Sequence, residues 1–280
     1  MTIDEALVAA VRRLRHTDTP RVDAELLLCR ATGESRSYLY TWPERELSGE
    51  AEQQFETLLS RRERGEPVAH LLGERGFWTL SLKVTPDTLI PRPETELLVE
   101  AALARLPAGG GRVVDLGTGS GAIALAIAAE CPSCEVVAVE RSEAALAVAR
   151  QNGKDNGIGN VQFLLGDWFE PLAGERFDLI LSNPPYIASA DPHLNQGDVR
   201  FEPRSALASG ADGLDDIRTI IDGAPKHLIL GGWLLLEHGF DQGEAVCALL
   251  REAGYEAVEL LPDLQGHGRV SLGRLPDGRL

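Results

Sequence analysis

The chain has 280 residues, 44% of them apolar and 25% charged, which allows about two domains with substantial cores and excludes a disordered or fibrous protein. Its 27 lysines and arginines face 43 aspartates and glutamates, a formal charge of −16, with most of the excess acid after residue 90; this disfavours a nucleic-acid coat and suits a protein or small-molecule substrate. No apolar run reaches the roughly 20 residues of a bilayer span, Asp4 and Glu5 stand where a secretory signal would be apolar, and four cysteines are too few for a disulfide scaffold, so a cytoplasmic protein with no membrane partner is expected.

Helical periodicity dominates the first domain, expected over residues 1–75. Ile3, Ala6, Leu7, Ala10, Val11 and Leu14 recur at helical spacing, Pro20 opens a segment with Ala24, Leu27 and Leu28 on one face, and residues 49–64 turn Phe55, Leu58 and Leu59 inward. Pro67 suits the first turn of a shorter helix, because that position needs no intrahelical N–H partner. Residues 76–89 change period: Phe77, Trp78, Leu80, Leu82 and Val84 alternate, predicting a strand-rich connector. Pro91 and Pro93 then shape the entry to a helix running from Glu94 to about Leu106.

From residue 90 to 280 an α/β domain is expected. Strand-like runs cover residues 113–116, 135–139, 161–165, 177–181, 228–236, 257–261 and 269–272, with crossover helices over 123–129 and 142–156. The runs are apolar for most of their length, as strands of a parallel sheet covered on both faces should be. The last two are open to an antiparallel arrangement.

Ligand-binding signals lie where these strands end. Asp115-Leu116-Gly117-Thr118-Gly119-Ser120-Gly121 leaves the first strand with three glycines, which let the backbone turn tightly and approach a ligand. It lacks the Lys-Ser/Thr of a phosphate-cradling loop, so triphosphate hydrolysis is not indicated. Glu140 ends the next strand, where a carboxylate can accept hydrogen bonds from a ribose diol. Gly166-Asp167-Trp168 ends the third, offering a polar edge and an aromatic wall for a base. Together these predict an adenosyl cofactor. Asn183-Pro184-Pro185-Tyr186 ends the fourth strand and combines an amide donor and acceptor, two restrained backbone positions and a ring, a set suited to a planar amide or amino group.

These motifs resemble the S-adenosylmethionine-dependent methyltransferases with an Asn-Pro-Pro-Tyr motif. With Leu89-Ile90-Pro91-Arg92-Pro93-Glu94-Thr95-Glu96, Phe201-Glu202-Pro203-Arg204 and the helical amino-terminal region, nearly the whole chain resembles the peptide chain release factor glutamine N5-methyltransferases. The resemblance implies a seven-stranded Rossmann-like class I methyltransferase sheet preceded by a helical substrate-recognition domain. It implies transfer of a methyl group from S-adenosylmethionine, with S-adenosylhomocysteine as product, to the glutamine of the Gly-Gly-Gln loop in bacterial-type class I release factors. Cofactor binding falls to Gly117, Thr118, Gly119, Ser120, Gly121, Glu140, Asp167, Trp168 and Asn183, of which Asp167 rests on its place at a strand end. The substrate clamp is Asn183, Pro184, Pro185 and Tyr186.

In chemical terms, the Asn183 oxygen and the Pro184 carbonyl are expected to accept the two amide hydrogens and aim the nitrogen at the methyl group, with Tyr186 against the amide plane. Two other readings stay open: a nucleobase-amino methyltransferase, because the same clamp can hold a flipped base, and an inactive cofactor-sensing protein-binding module. No stable nucleic-acid partner and no metal are expected, since His70 and His238 have no compact set of partner ligands around them. Glu237-His238-Gly239 reads as loop-shaping, Cys131-Pro132-Ser133-Cys134 as a structural turn, and Arg204 as the anchor of a flexible loop's return.

Overall fold

The amphipathic stripes of the amino-terminal region close on one another as five helices. The structure, a computed structural model, describes residues 1–278 and divides into two units, Met1–Glu74 and a second from Arg75 onward. In the first, α1 (Ile3–Arg13) opens with a capping box in which Thr2 and Glu5 satisfy each other's backbone N–H groups. Helix α2 (Pro20–Thr32) has proline in its first turn and stops at Gly33, which takes the left-handed conformation. The short α3 (Arg36–Thr41) and the long α4 (Gly49–Glu63) are capped by Ser35 and Ser48. Pro67 sits at the N-cap of α5 (Val68–Leu72), one position before the helical turn expected to contain it.

Leu7, Leu14, Leu27, Leu28, Phe55 and Leu59 form the core of this unit, each contributing roughly 1.5–3 kcal/mol on burial. Charges are buried beside them. Arg62 Nε donates to Asp23 at 2.8 Å, and Glu25 accepts from Arg21, Arg36 and Tyr40.

The connector forms a two-stranded sheet of β1 (Glu74–Phe77) and β2 (Leu80–Lys83). A 3₁₀ turn over Pro93–Thr95 leads into α6 (Glu96–Leu103), which begins later and ends earlier than the proline pattern indicated. The chain then runs β3 (Arg112–Leu116), α7 (Ala122–Glu130), β4 (Glu135–Glu140), α8 (Glu143–Asp155), β5 (Val161–Leu165), β6 (Phe177–Ser182), α9 (Asp215–Gly223), β7 (Leu228–Glu237), α10 (Gly243–Glu252), β8 (Glu256–Pro262) and β9 (Gly268–Arg274).

Seven strands form one sheet in the order β5-β4-β3-β6-β7-β9-β8. The first five are parallel, and β9 runs antiparallel to both β7 and β8. Successive residues of β3 enter opposite cores: Val113 packs with Leu125, Val136 and Leu179, whereas Val114 packs with Val137, Ile180 and Ile217. Helices therefore cover both faces, which is why the strands lack polar alternation. Cys131 and Cys134 form a disulfide across the turn that closes α7.

Strand order decides where function can sit. The chain steps outward in one direction from β3 to β4 and β5, then returns to the other side of β3 with β6. A crevice opens at such a reversal outside the carboxyl ends of the strands. Leu116 pairs with Val139 on one side and Ser182 on the other, and Ser182 pairs with Leu236. The residues that follow, Gly117, Glu140, Asn183 and Glu237, are thereby brought to one edge.

Candidate active site at the carboxyl edge of the sheet

Gly117, Gly119 and Gly121 all have positive φ, so the loop after β3 takes a course that side chains would resist. A Cβ on Gly117 would stand 3.2 Å from the Trp168 ring, and one on Gly121 would press Leu125 and the Ala149 methyl at 3.0 and 3.2 Å. The first glycine thus allows close approach to an aromatic wall, and the third allows α7 to pack against α8. Asp115, fully buried, accepts from the Thr118 hydroxyl at 2.5 Å and from the Ala124 N–H at 3.2 Å. Its other oxygen, Oδ1, has no partner, and burial pushes its carboxyl up to about 7.

Gly117, Gly119, Glu140, Asp167, Trp168 and Asn183 face a common cleft. Thr118, Ser120 and Gly121 were expected to touch the ligand as well but lie outside that lining. Thr118 is turned to Asp115, the Ser120 carbonyl accepts from Asn152 Nδ2 at 2.8 Å, and Gly121 is the N-cap of α7.

Glu140 holds the glycine loop while facing the cleft: Oε2 accepts from Gly119 N and Oε1 from Ser142 N, each at 2.9 Å. Each carboxylate oxygen retains a further acceptor site for a ligand hydroxyl. Trp168 has a φ of 42°, a strained value that turns its ring across Gly117. The side wall behind Glu140 is closed by Arg141, which donates to the Ser205 carbonyl at 2.6 Å.

Asn183 sits at the junction between this cleft and a buried polar cluster. Its Nδ2 donates to Thr95 Oγ1 at 3.2 Å, while its Oδ1 is buried without a partner. An orphaned acceptor is costly unless a ligand completes it. Pro185 lines the cleft, whereas Pro184 is buried behind it and Tyr186 is half-buried. Desolvation raises the Tyr186 phenol, so it remains neutral. Gln242, which carried no sequence signal, braces the clamp by donating from Nε2 to the Tyr186 carbonyl at 2.9 Å.

The two proline-marked strings meet over the cleft. Asp87, Thr88 and Leu89 line it together with Pro203, Ser205 and Ala206. Buried Glu202 joins the two segments, accepting from Ile90 N at 2.8 Å and from the Arg92 guanidinium. The anchor is therefore Glu202 rather than Arg204, which is exposed; a carboxylate can satisfy a buried N–H and a cation together, and a second arginine cannot. Glu96 instead accepts from Trp78 N at 2.8 Å.

His238 is fully buried and spends its ring nitrogens on Ser271 Oγ and the Gly239 carbonyl at 2.8 and 2.9 Å. Among the described residues, no group of His, Cys, Asp or Glu is arranged to hold a metal, and no helix is long and apolar enough to cross a membrane.

The family described as PrmC N-terminal domain matches residues 5–73, and the family described as Methyltransferase small domain matches residues 93–199. The chain is 53% identical to the release factor glutamine methyltransferase of Salmonella typhimurium, over 98% of this chain and 99% of that protein. It is 51% identical to the protein of the same name in Escherichia coli, over 95% and 96%. A methyltransferase from Pyrococcus furiosus shares the fold with a TM-score of 0.54 at 22% identity, over 70% of this chain and 89% of that one. A Thermus thermophilus 16S rRNA methyltransferase in complex with AdoMet and guanosine gives 0.54 at 24% identity, over 72% and 49%.

Proposed function

The chain belongs to the release factor glutamine methyltransferase family, and from that premise we propose that Asn183 and the Pro184 carbonyl hold the glutamine side chain of a bacterial-type class I release factor for methylation within its Gly-Gly-Gln loop. The enzyme transfers the methyl group of S-adenosylmethionine to the N5 amide nitrogen of a release-factor glutamine. The partnerless Asn183 Oδ1 carries this reading of the site, because an acceptor kept free beside the cleft matches the one need of an amide nitrogen, which is to have its hydrogens held while its lone pair is directed.

The cleft fits the cofactor on its own features. The Trp168 ring and Gly117 line it with a flat aromatic surface and bare backbone, and Glu140 offers carboxylate acceptors beside them. S-adenosylmethionine supplies, when bound, a methyl group activated by its sulfonium. An amide nitrogen is a weak nucleophile because its lone pair is shared with the carbonyl, so the chain's contribution is positioning and charge stabilisation. Asn183 Oδ1 and the Pro184 carbonyl accept from the amide N–H groups and favour the positive charge that grows on nitrogen. Tyr186, neutral and braced by Gln242, confines the amide plane.

Specificity divides between the units. A glutamine side chain alone cannot distinguish one cellular protein from another, so the helical unit supplies recognition of the release factor. Asn183→Ala tests both statements with mass spectrometric detection of methylated release factor. Turnover should fall by about 100-fold or more, the scale of losing one preorganised hydrogen-bonding group at a reacting centre, with release-factor binding nearly unchanged. Normal turnover by folded N183A rejects the clamp. DNA, ribosomal RNA and free glutamine, offered in competition, should not be methylated.

A further inference from the structure

Behind Asn183 lies a carboxylate that the methyl-transfer chemistry does not call on. Glu237 ends β7 and is 2% exposed. The pairing of Ser182 with Leu236 places Asn183 and Glu237 at the same level of two neighbouring parallel strands, and side chains at the same level emerge on the same face. Thr95, at the end of the 3₁₀ turn before α6, completes the group. Its hydroxyl accepts from Asn183 Nδ2 at 3.2 Å, and Thr95 and Asn183 are the neighbouring polar groups that favour the ionised Glu237 carboxyl.

Two atoms in this cluster remain without partners, Glu237 Oε2 and Asn183 Oδ1. A fully buried acid with an unsatisfied oxygen is an expensive arrangement that a glutamine or leucine would avoid. Such arrangements concentrate where function requires them. Here the surroundings are of mixed charge: Arg269 from β9 favours the ionised form, Glu94 from the turn before α6 opposes it, and Tyr186 faces the carboxyl as a neutral phenol.

We propose that Glu237 is a positioning residue for methyl transfer: with Thr95 it holds the amino edge of Asn183 inward, so that the Asn183 oxygen is the atom presented to the substrate amide. The proposal rests on the reading of Asn183 as the amide clamp. An asparagine amide is nearly symmetric in shape and can turn over with little change in packing. Only its neighbours decide which end faces the substrate. A carboxylate is purely an acceptor, so it draws the Thr95 hydroxyl and the Asn183 amino group toward itself and leaves the oxygen as the end without a protein partner. Once protonated, or replaced by an amide, the group at position 237 can donate. The reversed Asn183 is then allowed, with an amino group where the substrate needs an acceptor. Burial pushes the Glu237 carboxyl up to about 7, so turnover should rise as pH increases through that region.

The test compares purified full-length wild type with Glu237→Gln, Thr95→Val and Thr95→Ser, using release factor and S-adenosylmethionine as substrates. E237Q and T95V should each lower kcat by about tenfold, the scale of misplacing one reacting group, while the KM for release factor and the calorimetric affinity for S-adenosylmethionine stay within about twofold. T95S, which keeps the hydroxyl, should recover most of the rate, and the E237Q/T95V double variant should fall little below either single one because both act through Asn183. The rise of kcat near pH 7 should flatten in E237Q.

Turnover of E237Q and T95V within twofold of wild type overturns the proposal. So does a loss that follows cofactor affinity rather than kcat, or equal loss in T95V and T95S. If E237Q fails to fold, the comparison of T95V with T95S decides alone. Wild-type protein that does not methylate release factor would instead refute the function, a separate outcome from equal rates in wild type and variants.

Discussion

The helical unit and the sheet edge of the α/β unit treat buried charge in opposite ways. In the helical unit Asp23 and Glu25 are enclosed, and each is saturated: Asp23 by Arg62 and Thr19, Glu25 by two arginines and Tyr40. In the α/β unit Asp115 and Glu237 are equally buried, yet each keeps an oxygen without a partner. Saturation makes a rigid surface of defined shape, which suits recognition of another protein. Unsatisfied acceptors grouped along one sheet edge make a site that a ligand or a neighbouring catalytic group must complete.

The comparison breaks first at Asp23. Asp23→Ala leaves the Arg62 guanidinium enclosed without its carboxylate, and a cost of about 3–5 kcal/mol is expected for removing one partner of a buried pair. Urea unfolding would measure it, and hydrogen exchange should place the loss in α2 and α4. A change near zero would mean that the pair is no more than a surface contact.

The second contrast is in pH. Glu237 has a folded value of about 7 against an ordinary 4.5, so the folded state holds this proton more tightly than the unfolded chain. Its contribution is fully present below the unfolded value and is lost as pH rises toward and through 7. Glu237→Gln removes the titration. The stability of E237Q relative to wild type should therefore increase between pH 4 and pH 8 by roughly 3 kcal/mol, the free energy of a shift of this size. A difference independent of pH would show that the carboxyl is hydrated rather than buried. A variant more stable but slower at pH 8 would show that the site retains a charge at the expense of the fold.

The smallest effect is expected at Glu140, a carboxylate that accepts one backbone N–H on each oxygen and keeps its remaining acceptor sites open to the cleft. Glu140→Ala should weaken S-adenosylmethionine binding by about 1.5–3 kcal/mol, the scale of hydrogen bonds to a charged group, read by calorimetry on folded protein. Unchanged affinity would confine Glu140 to holding the glycine loop.

Signals carried by neighbouring residues were legible without coordinates. The Leu7, Leu14, Leu27 and Phe55 stripes, the seven apolar runs, and the motifs beginning at Asp115 and Asn183 depend on local spacing, and they lie in or at the ends of the elements that spacing indicated. Helices α3, α9 and α10 are less legible. Neither α9 nor α10 has a side-chain cap at its start, so the usual beginning signal is absent, and α3 is only six residues long. Glu202 carried no signal of its own as an anchor, because its partners Ile90 and Arg92 lie more than 100 positions away in the chain.

What the sequence by itself determined was the inventory: a helical region, seven strands, and the chemistry placed just beyond their ends. Tertiary structure decided which of those ends meet. Glu202 reaches the Ile90 N–H across 112 positions, and Thr95 meets Asn183 across 88. Those meetings follow from a strand order that reverses at β3 and puts β6 and β7 side by side. Periodicity reports which face of an element is apolar, a property of adjacent residues. Strand order is a property of how whole elements share two cores, and through it Glu237 comes to stand behind Asn183.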